Sequence, residues 1–236
     1  MPRWRDALAG LLLSTLAACA ARDDARPTAV EGGNTMTYLA LGDSYTIGEG
    51  VAEDGRWPRQ LAQALRADGI ALADPRIIAA TGWTTDELSA AIDAAEPLGK
   101  HDFVSLLIGV NNQYRGGSIE DYRSGFTSLL ERAIGFAGGR SDRVLVLSIP
   151  DWGATRFGRD SGRELAQVSR ELDAYNVAAR EISERHGVAF VDITRLGRAR
   201  GAEAAMAADD GLHPSAAMYE QWTQLALPIA RDLLNR

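Results

Sequence analysis

Five short segments hold most of the side chains able to do chemistry. They are Gly42-Asp43-Ser44-Tyr45, Thr81-Gly82-Trp83, Gly109-Val110-Asn111-Asn112, Pro150-Asp151-Trp152 and Asp209-Asp210-Gly211-Leu212-His213-Pro214. Together they offer a hydroxyl, an amide, carboxylates and an imidazole. A serine hydroxyl is a weak nucleophile until a base takes its proton, so an imidazole within its reach is the first requirement. Singly, each segment is ambiguous. Gly-Asp-Ser also reads as a tight polar turn or an anion-binding nest. Asp-x-x-His also reads as a surface loop pair.

The elements that would position these segments follow from hydrophobic periodicity. Short apolar strands are expected at residues 38–41, 76–80, 103–108, 144–149 and 188–192. Helices are expected at 58–67, 84–95, 118–137, 162–185 and 215–234, with Pro228 kinking or restarting the last. Thr84 or Thr85 caps the second helix. Ser118, with Asp121 three residues on, caps the third. Strict alternation implies a parallel sheet with helices on both faces, and the uninterrupted apolar strands fit burial on both sides. Residues 36–236 then form one domain, a five-stranded parallel sheet with helices on both faces.

In open sheets of this kind, ligands bind beyond the carboxyl ends of the strands. Each of the five segments follows a strand and so falls on that edge. The histidines separate accordingly. His101 and His186 precede strands three and five, whereas His213 alone lies on the carboxyl side. It is therefore the one histidine placed to act as a base there.

Composition narrows the field. The net charge of −7 disfavours nucleic acid, which needs a basic face. One cysteine permits neither an internal disulfide nor a multi-cysteine metal site. No phosphate-binding Gly-x-x-x-x-Gly-Lys run, dinucleotide Gly-x-Gly-x-x-Gly or zinc-binding His-Glu-x-x-His is present. Gly42-Asp43-Ser44-Tyr45-Thr46 lacks the closing glycine of a nucleophile elbow, which disfavours a standard α/β-hydrolase. Lys100, the only lysine, precedes strand three and cannot serve Ser44 as a base. No cofactor or metal is expected.

The blocks Gly42-Asp43-Ser44-Tyr45, Gly82, Gly109-Val110-Asn111-Asn112 and Asp210-Gly211-Leu212-His213, in that order, resemble the SGNH (GDSL) hydrolase superfamily. The resemblance runs from Tyr38 to about Tyr219. It implies a three-layer α/β/α fold around a flavodoxin-like five-stranded sheet, and ester or thioester hydrolysis, with Ser44 as nucleophile, His213 as base and then acid, and Asp210 holding the imidazole. Asp209 is the rival for that last role, and Asp210 is preferred by spacing. The oxyanion donors implied are the Ser44 and Gly82 backbone N–H groups and the Asn111 amide. Two departures stand out. Tyr45 replaces the usual leucine, a packing change, and Asn112 replaces the usual aspartate. Trp83, Tyr114, Arg115, Trp152 and Phe157 lie in the same loops and either line a substrate pocket or pack on the core. Glu49 and Glu53 read as solvated charges. The expected substrate is an acyl ester, of carboxylic, lysophospholipid or thioester type. A carbohydrate O-acetylesterase or acetyltransferase with the same serine is the alternative. A surface lipoprotein that binds ligand without turnover is a third reading.

The first 35 residues read differently. Arg3 and Arg5 precede an apolar run at 7–18, too short to span a bilayer as a helix and shaped like an export signal. Leu16-Ala17-Ala18-Cys19 resembles the bacterial lipoprotein box, which implies cleavage of residues 1–18 and lipidation of Cys19. Residues 19–35, broken by Pro27 and Gly32-Gly33, would tether the domain to a membrane on the periplasmic or extracellular side. A flexible stretch of that length spans roughly 20–24 Å.

Overall fold

A computed structural model describes residues 35–236. The signal, the lipidation cysteine and the tether up to residue 34 lie outside the described residues. Five parallel strands, β1 (Tyr38–Gly42), β2 (Arg76–Ala79), β3 (Phe103–Leu107), β4 (Val144–Leu147) and β5 (Ala189–Val191), form one sheet in the order β2-β1-β3-β4-β5. The three central strands are buried at every position, whereas edge strands β2 and β5 are only partly covered. That gradient explains the composition. A strand covered on both faces must be apolar throughout, as in Phe103–Leu107, while an edge strand can begin with the exposed Arg76.

The helices are α1 (Ser44–Ile47), α2 (Trp57–Ala67), α3 (Thr85–Ala95), α4 (Val110–Tyr114), α5 (Ile119–Phe136), α6 (Arg156–Asp160), α7 (Leu165–Arg185), α8 (Thr194–Arg200) and α9 (Ala216–Leu234). Helix α2 packs on α9, and α5 packs between α3 and α7, giving the two outer layers. Thr84 caps α3 in a reciprocal capping box with Glu87, and Ser118 caps α5 through the Asp121 N–H.

Two expectations are corrected. The helix expected from 162 begins at Leu165, capped by Glu164, and the separate α6 precedes it. Gly162 between them has φ +73°, which ends α6. Helix α9 runs through Pro228 and does not restart there. The short helices α1, α4, α6 and α8 were not expected, because one or two turns carry no readable period.

The strand order sets the place of the site. The chain leaves β1 toward β2 on one side and leaves β3 toward β4 on the other. The gap between the carboxyl ends of β1 and β3 is therefore the topological switch point, where open α/β sheets bind ligands. Gly42 pairs with Leu107 at the ends of these strands, so Ser44 and Gly109 emerge side by side.

Candidate active site

Ser44 is the first residue of α1, directly after the N-cap Asp43. Asp43 is fully buried, and its Oδ1 accepts the Tyr45 N–H at 3.1 Å. Its Oδ2 has no hydrogen-bond partner among the described residues, and burial pushes the carboxyl up to about 7. The Ser44 N–H, at the start of a helix, has no acceptor within the helix. It makes no other backbone hydrogen bond among the described residues, and neither does the Gly82 N–H.

Asp210 and His213 are joined by a 2.5 Å contact from His213 Nδ1 to Asp210 Oδ2. Asp210 Oδ1 accepts two backbone N–H groups, from Leu212 at 2.8 Å and His213 at 3.0 Å. Partial burial pushes the Asp210 carboxyl up, but these bonds and the His213 contact outweigh it and hold the group below its usual range. The rival Asp209 turns no carboxylate oxygen to His213. Its backbone carbonyl accepts Arg156 Nη2 at 2.8 Å. Beneath the imidazole lies the Tyr45 ring, 5.7 Å between centroids, itself packed on Trp222 at 6.0 Å. The tyrosine in place of leucine is thus a floor for the histidine.

The block-three loop begins at Gly109, whose φ of +129° disfavours any side chain. A β-carbon there would also strike the Tyr122 ring. Asn111 Nδ2 donates to the Trp83 carbonyl at 3.0 Å. A carbonyl can only accept, so this bond fixes which way the amide points and leaves its second N–H free. Asn112 is turned to α3 instead: Oδ1 accepts the Thr85 N–H at 3.1 Å and Nδ2 donates to Thr85 Oγ1 at 2.9 Å. It braces the loop. Gly82 has φ +87°, while a β-carbon there would meet only Arg115, at 3.6 Å. Backbone conformation, more than crowding, calls for glycine at this point.

Ser44, Gly82, Asn111 and His213 line a single cavity of about 190 Å³. No direct hydrogen bond joins Ser44 Oγ to His213 among the described residues. Such contacts often tighten only with substrate bound. Tyr114, Trp152 and Phe157 line the cavity, joined by Tyr45, Thr81, Val110 and Leu212, which sequence reasoning missed. Leu212, between Asp210 and His213, could have been inferred from its neighbours.

Trp83 and Arg115 do not line this cavity, contrary to one reading of the loops. Trp83 packs against the core. Arg115 Nη2 donates to the Gly82 carbonyl at 2.6 Å and its Nη1 to Glu87 at 3.2 Å, so it clamps the Gly82 turn. Glu49 accepts the Thr81 hydroxyl, and Glu53 pairs with Arg59. His101 and His186 lie at the amino ends of β3 and β5, away from the cavity. Among the described residues no group of three His, Cys, Asp or Glu side chains is placed to hold a metal ion.

Solved structures share this fold. A lipase/acylhydrolase from Enterococcus faecalis is 19% identical, with a TM-score of 0.65, covering 84% of this chain and 96% of that one. The acetylxylan esterase Axe2 from Geobacillus stearothermophilus is 20% identical, with a TM-score of 0.64 and coverage of 84% and 95%. The psychrotrophic esterase EstA from Pseudoalteromonas is 17% identical, with a TM-score of 0.58 and coverage of 85% and 94%. No curated protein matches the chain by sequence. Residues 40–221 match the GDSL-like Lipase/Acylhydrolase family, a span that takes in every block around the cavity, and the chain belongs to this family of ester-hydrolysing serine hydrolases.

Proposed function

We propose that the chain hydrolyses carboxylic esters through Ser44, His213 and Asp210. The observation that carries this reading is the Asp210–His213 contact of 2.5 Å, set on the same cavity as Ser44. Ser44 Oγ attacks the acyl carbonyl while His213 Nε2 takes its proton. Asp210 holds the Nδ1–H tautomer and stabilises the imidazolium. The Ser44 and Gly82 N–H groups and Asn111 Nδ2 receive the oxyanion. Collapse expels the alcohol, which takes the proton from His213. Water, deprotonated by the same histidine, then releases the acyl group and restores Ser44. The direct test is hydrolysis of p-nitrophenyl esters by the purified chain, with labelling of Ser44 by a fluorophosphonate.

The oxyanion assignment is tested separately. Asn111→Ala removes a donor aimed at charge that exists only in the transition state. It should lower kcat about 10²-fold, near 2.7 kcal/mol, with KM little moved. Asn112→Ala should cost less, because Asn112 touches α3 and not the cavity. Asn112→Asp should be tolerated, since Thr85 can donate to a carboxylate. A larger kcat loss in Asn112→Ala than in Asn111→Ala would reverse the assignment.

A second reading, a carbohydrate O-acetylesterase or acetyltransferase, is favoured by a polar cleft of about 510 Å³ between α3 and α5. Thr84, Asp86, Ser89, Arg115 and Asp121 line it, a set suited to a polyhydroxylated group. Release of acetate from acetylated xylo-oligosaccharides much faster than from p-nitrophenyl acetate would favour this reading.

We also propose that Cys19 anchors the protein to a membrane on the periplasmic or extracellular side. The support is the Leu16-Ala17-Ala18-Cys19 box, with the sole cysteine of the chain. Among the described residues no helix is long and apolar enough to cross a membrane. Cys19→Ser should release the protein to the soluble fraction or block its maturation. Wild-type protein that is fully soluble with a free thiol would refute the anchor.

A further inference from the structure

We infer that Arg115 is a positioning residue of the oxyanion hole, fixing the direction of the Gly82 N–H through the hydrogen bond it gives to the Gly82 carbonyl. This rests on the serine-esterase reading and adds to it a residue that stands outside the cavity.

The Gly82 turn does not hold itself. Glycine takes either sign of φ about equally, so Gly82, at φ +87°, has no preference of its own that aims its N–H. The turn closes through the Trp83 N–H on the Ala80 carbonyl at 3.4 Å, a long bond. Arg115 Nη2, at 2.6 Å, makes the only hydrogen bond to Gly82 among the described residues. A charged donor gives a stronger bond than a neutral one, so this contact outweighs the turn's own closure in placing Gly82.

The guanidinium is itself placed. Arg115 ends α4, with its backbone N–H on the Asn111 carbonyl at 3.0 Å. Its Nη1 donates to Glu87 Oε1 at 3.2 Å, and Glu87 Oε2 accepts the Thr84 N–H at 2.8 Å. An ion pair as exposed as Arg115–Glu87 adds little stability. What it supplies is orientation. Glu87 is locked in the capping box of α3, and its hold on Nη1 leaves Nη2 facing the turn.

The two ends of α4 therefore grip neighbouring carbonyls. Asn111, in its first turn, donates to the Trp83 carbonyl, and Arg115, at its close, donates to the Gly82 carbonyl. The side chain that supplies one oxyanion donor and the backbone that supplies another are bound into one unit. Such donors act only when aimed at the place where charge develops. Loosening the Arg115 grip costs rate without removing a donor and without touching substrate.

The test is steady-state kinetics on p-nitrophenyl acetate. Arg115→Ala should lower kcat about tenfold, less than the loss of a whole donor, with KM little moved. Glu87→Gln keeps an acceptor for the Thr84 cap but takes the carboxylate from Arg115. It should lower kcat in the same way and by less. Arg123→Ala breaks a similarly exposed pair, with Glu181, that does not touch the turn, and kcat should not change. A trifluoromethyl ketone separates positioning from damage to the fold. Ser44 Oγ adds to its carbonyl carbon, the proton passes to His213, and the carbonyl oxygen becomes the oxyanion. Arg115→Ala should bind this ketone about tenfold more weakly, while fluorophosphonate still labels every chain at Ser44. Unchanged kcat, a raised KM at unchanged kcat, incomplete labelling with unchanged ketone affinity, or an equal loss in Arg123→Ala would overturn the inference alone. A wild-type chain with no turnover and no label on Ser44 would overturn the serine-esterase reading and the inference with it.

Discussion

Ser44→Ala is expected to lower kcat by about 10⁶-fold, the scale seen when the nucleophile of such a unit is removed. His213→Ala is expected to be nearly as severe, and the double variant no worse than either single one. The non-additivity follows from the chemistry: without the nucleophile the base has no proton to take, and without the base the hydroxyl does not attack. The fold should survive. The Ser44 side chain makes no hydrogen bond among the described residues, so its loss leaves no buried partner unpaired. Thermal unfolding of Ser44→Ala should match the wild type closely, and fluorophosphonate labelling should vanish. His101→Gln supplies the contrast. His101 stands before β3 at the amino edge of the sheet, and activity should stay within a few-fold. Loss of activity on changing His101 but not His213 would place the site at the wrong end of the sheet.

That contrast shows what the sequence could disclose. The continuous apolar runs at β3 and β4 announce strands buried on both faces, because only such burial removes the need for alternation. The order of strands and helices then assigns each histidine to an edge without any coordinates. Caps were equally legible at Thr84 and Ser118, where one side chain satisfies backbone groups a few residues away. What escaped were contacts between residues far apart in the chain. Arg115 reaches Gly82 across 33 positions, and Trp152 reaches Gln113 across 39. No local pattern marks such a pair. From sequence, Arg115 and Trp83 looked as suited to a pocket as Tyr114 did. The fold turned the arginine onto a backbone carbonyl and the tryptophan onto the core. Asn111 and Asn112 were likewise indistinguishable in kind. A single helical step separates an amide held at the cavity from one that braces α3.

The same distinction between contact and proximity decides the role of Asp210. Asp210→Asn is expected to lower kcat about 10⁴-fold with KM little changed. The size of the effect follows from the two hydrogen bonds that Oδ1 accepts, from the Leu212 and His213 N–H groups. An asparagine must leave its carbonyl oxygen on those donors, because its NH₂ group cannot accept them. That orientation aims the NH₂ at His213 Nδ1. The imidazole can then only accept there, so its proton moves to Nε2. A protonated Nε2 cannot take the proton of Ser44, and the base is lost although every atom stays in place. Proton-detected NMR of the imidazole should show the proton on Nδ1 in the wild type and on Nε2 in the variant. Stability should respond to pH in the matching direction. The Asp210 carboxyl is held below its usual value, so the stability it contributes is present above that value. It is lost as pH falls through the lower folded-state value. Asp210→Asn should therefore flatten the acid limb of the stability curve and leave the neutral region alone. Asp209→Asn should keep activity within a few-fold, because the contact Asp209 makes is through its backbone carbonyl. An Asp210→Asn enzyme retaining a tenth of wild-type kcat, or an Asp209→Asn enzyme losing more than it does, would remove Asp210 from the triad.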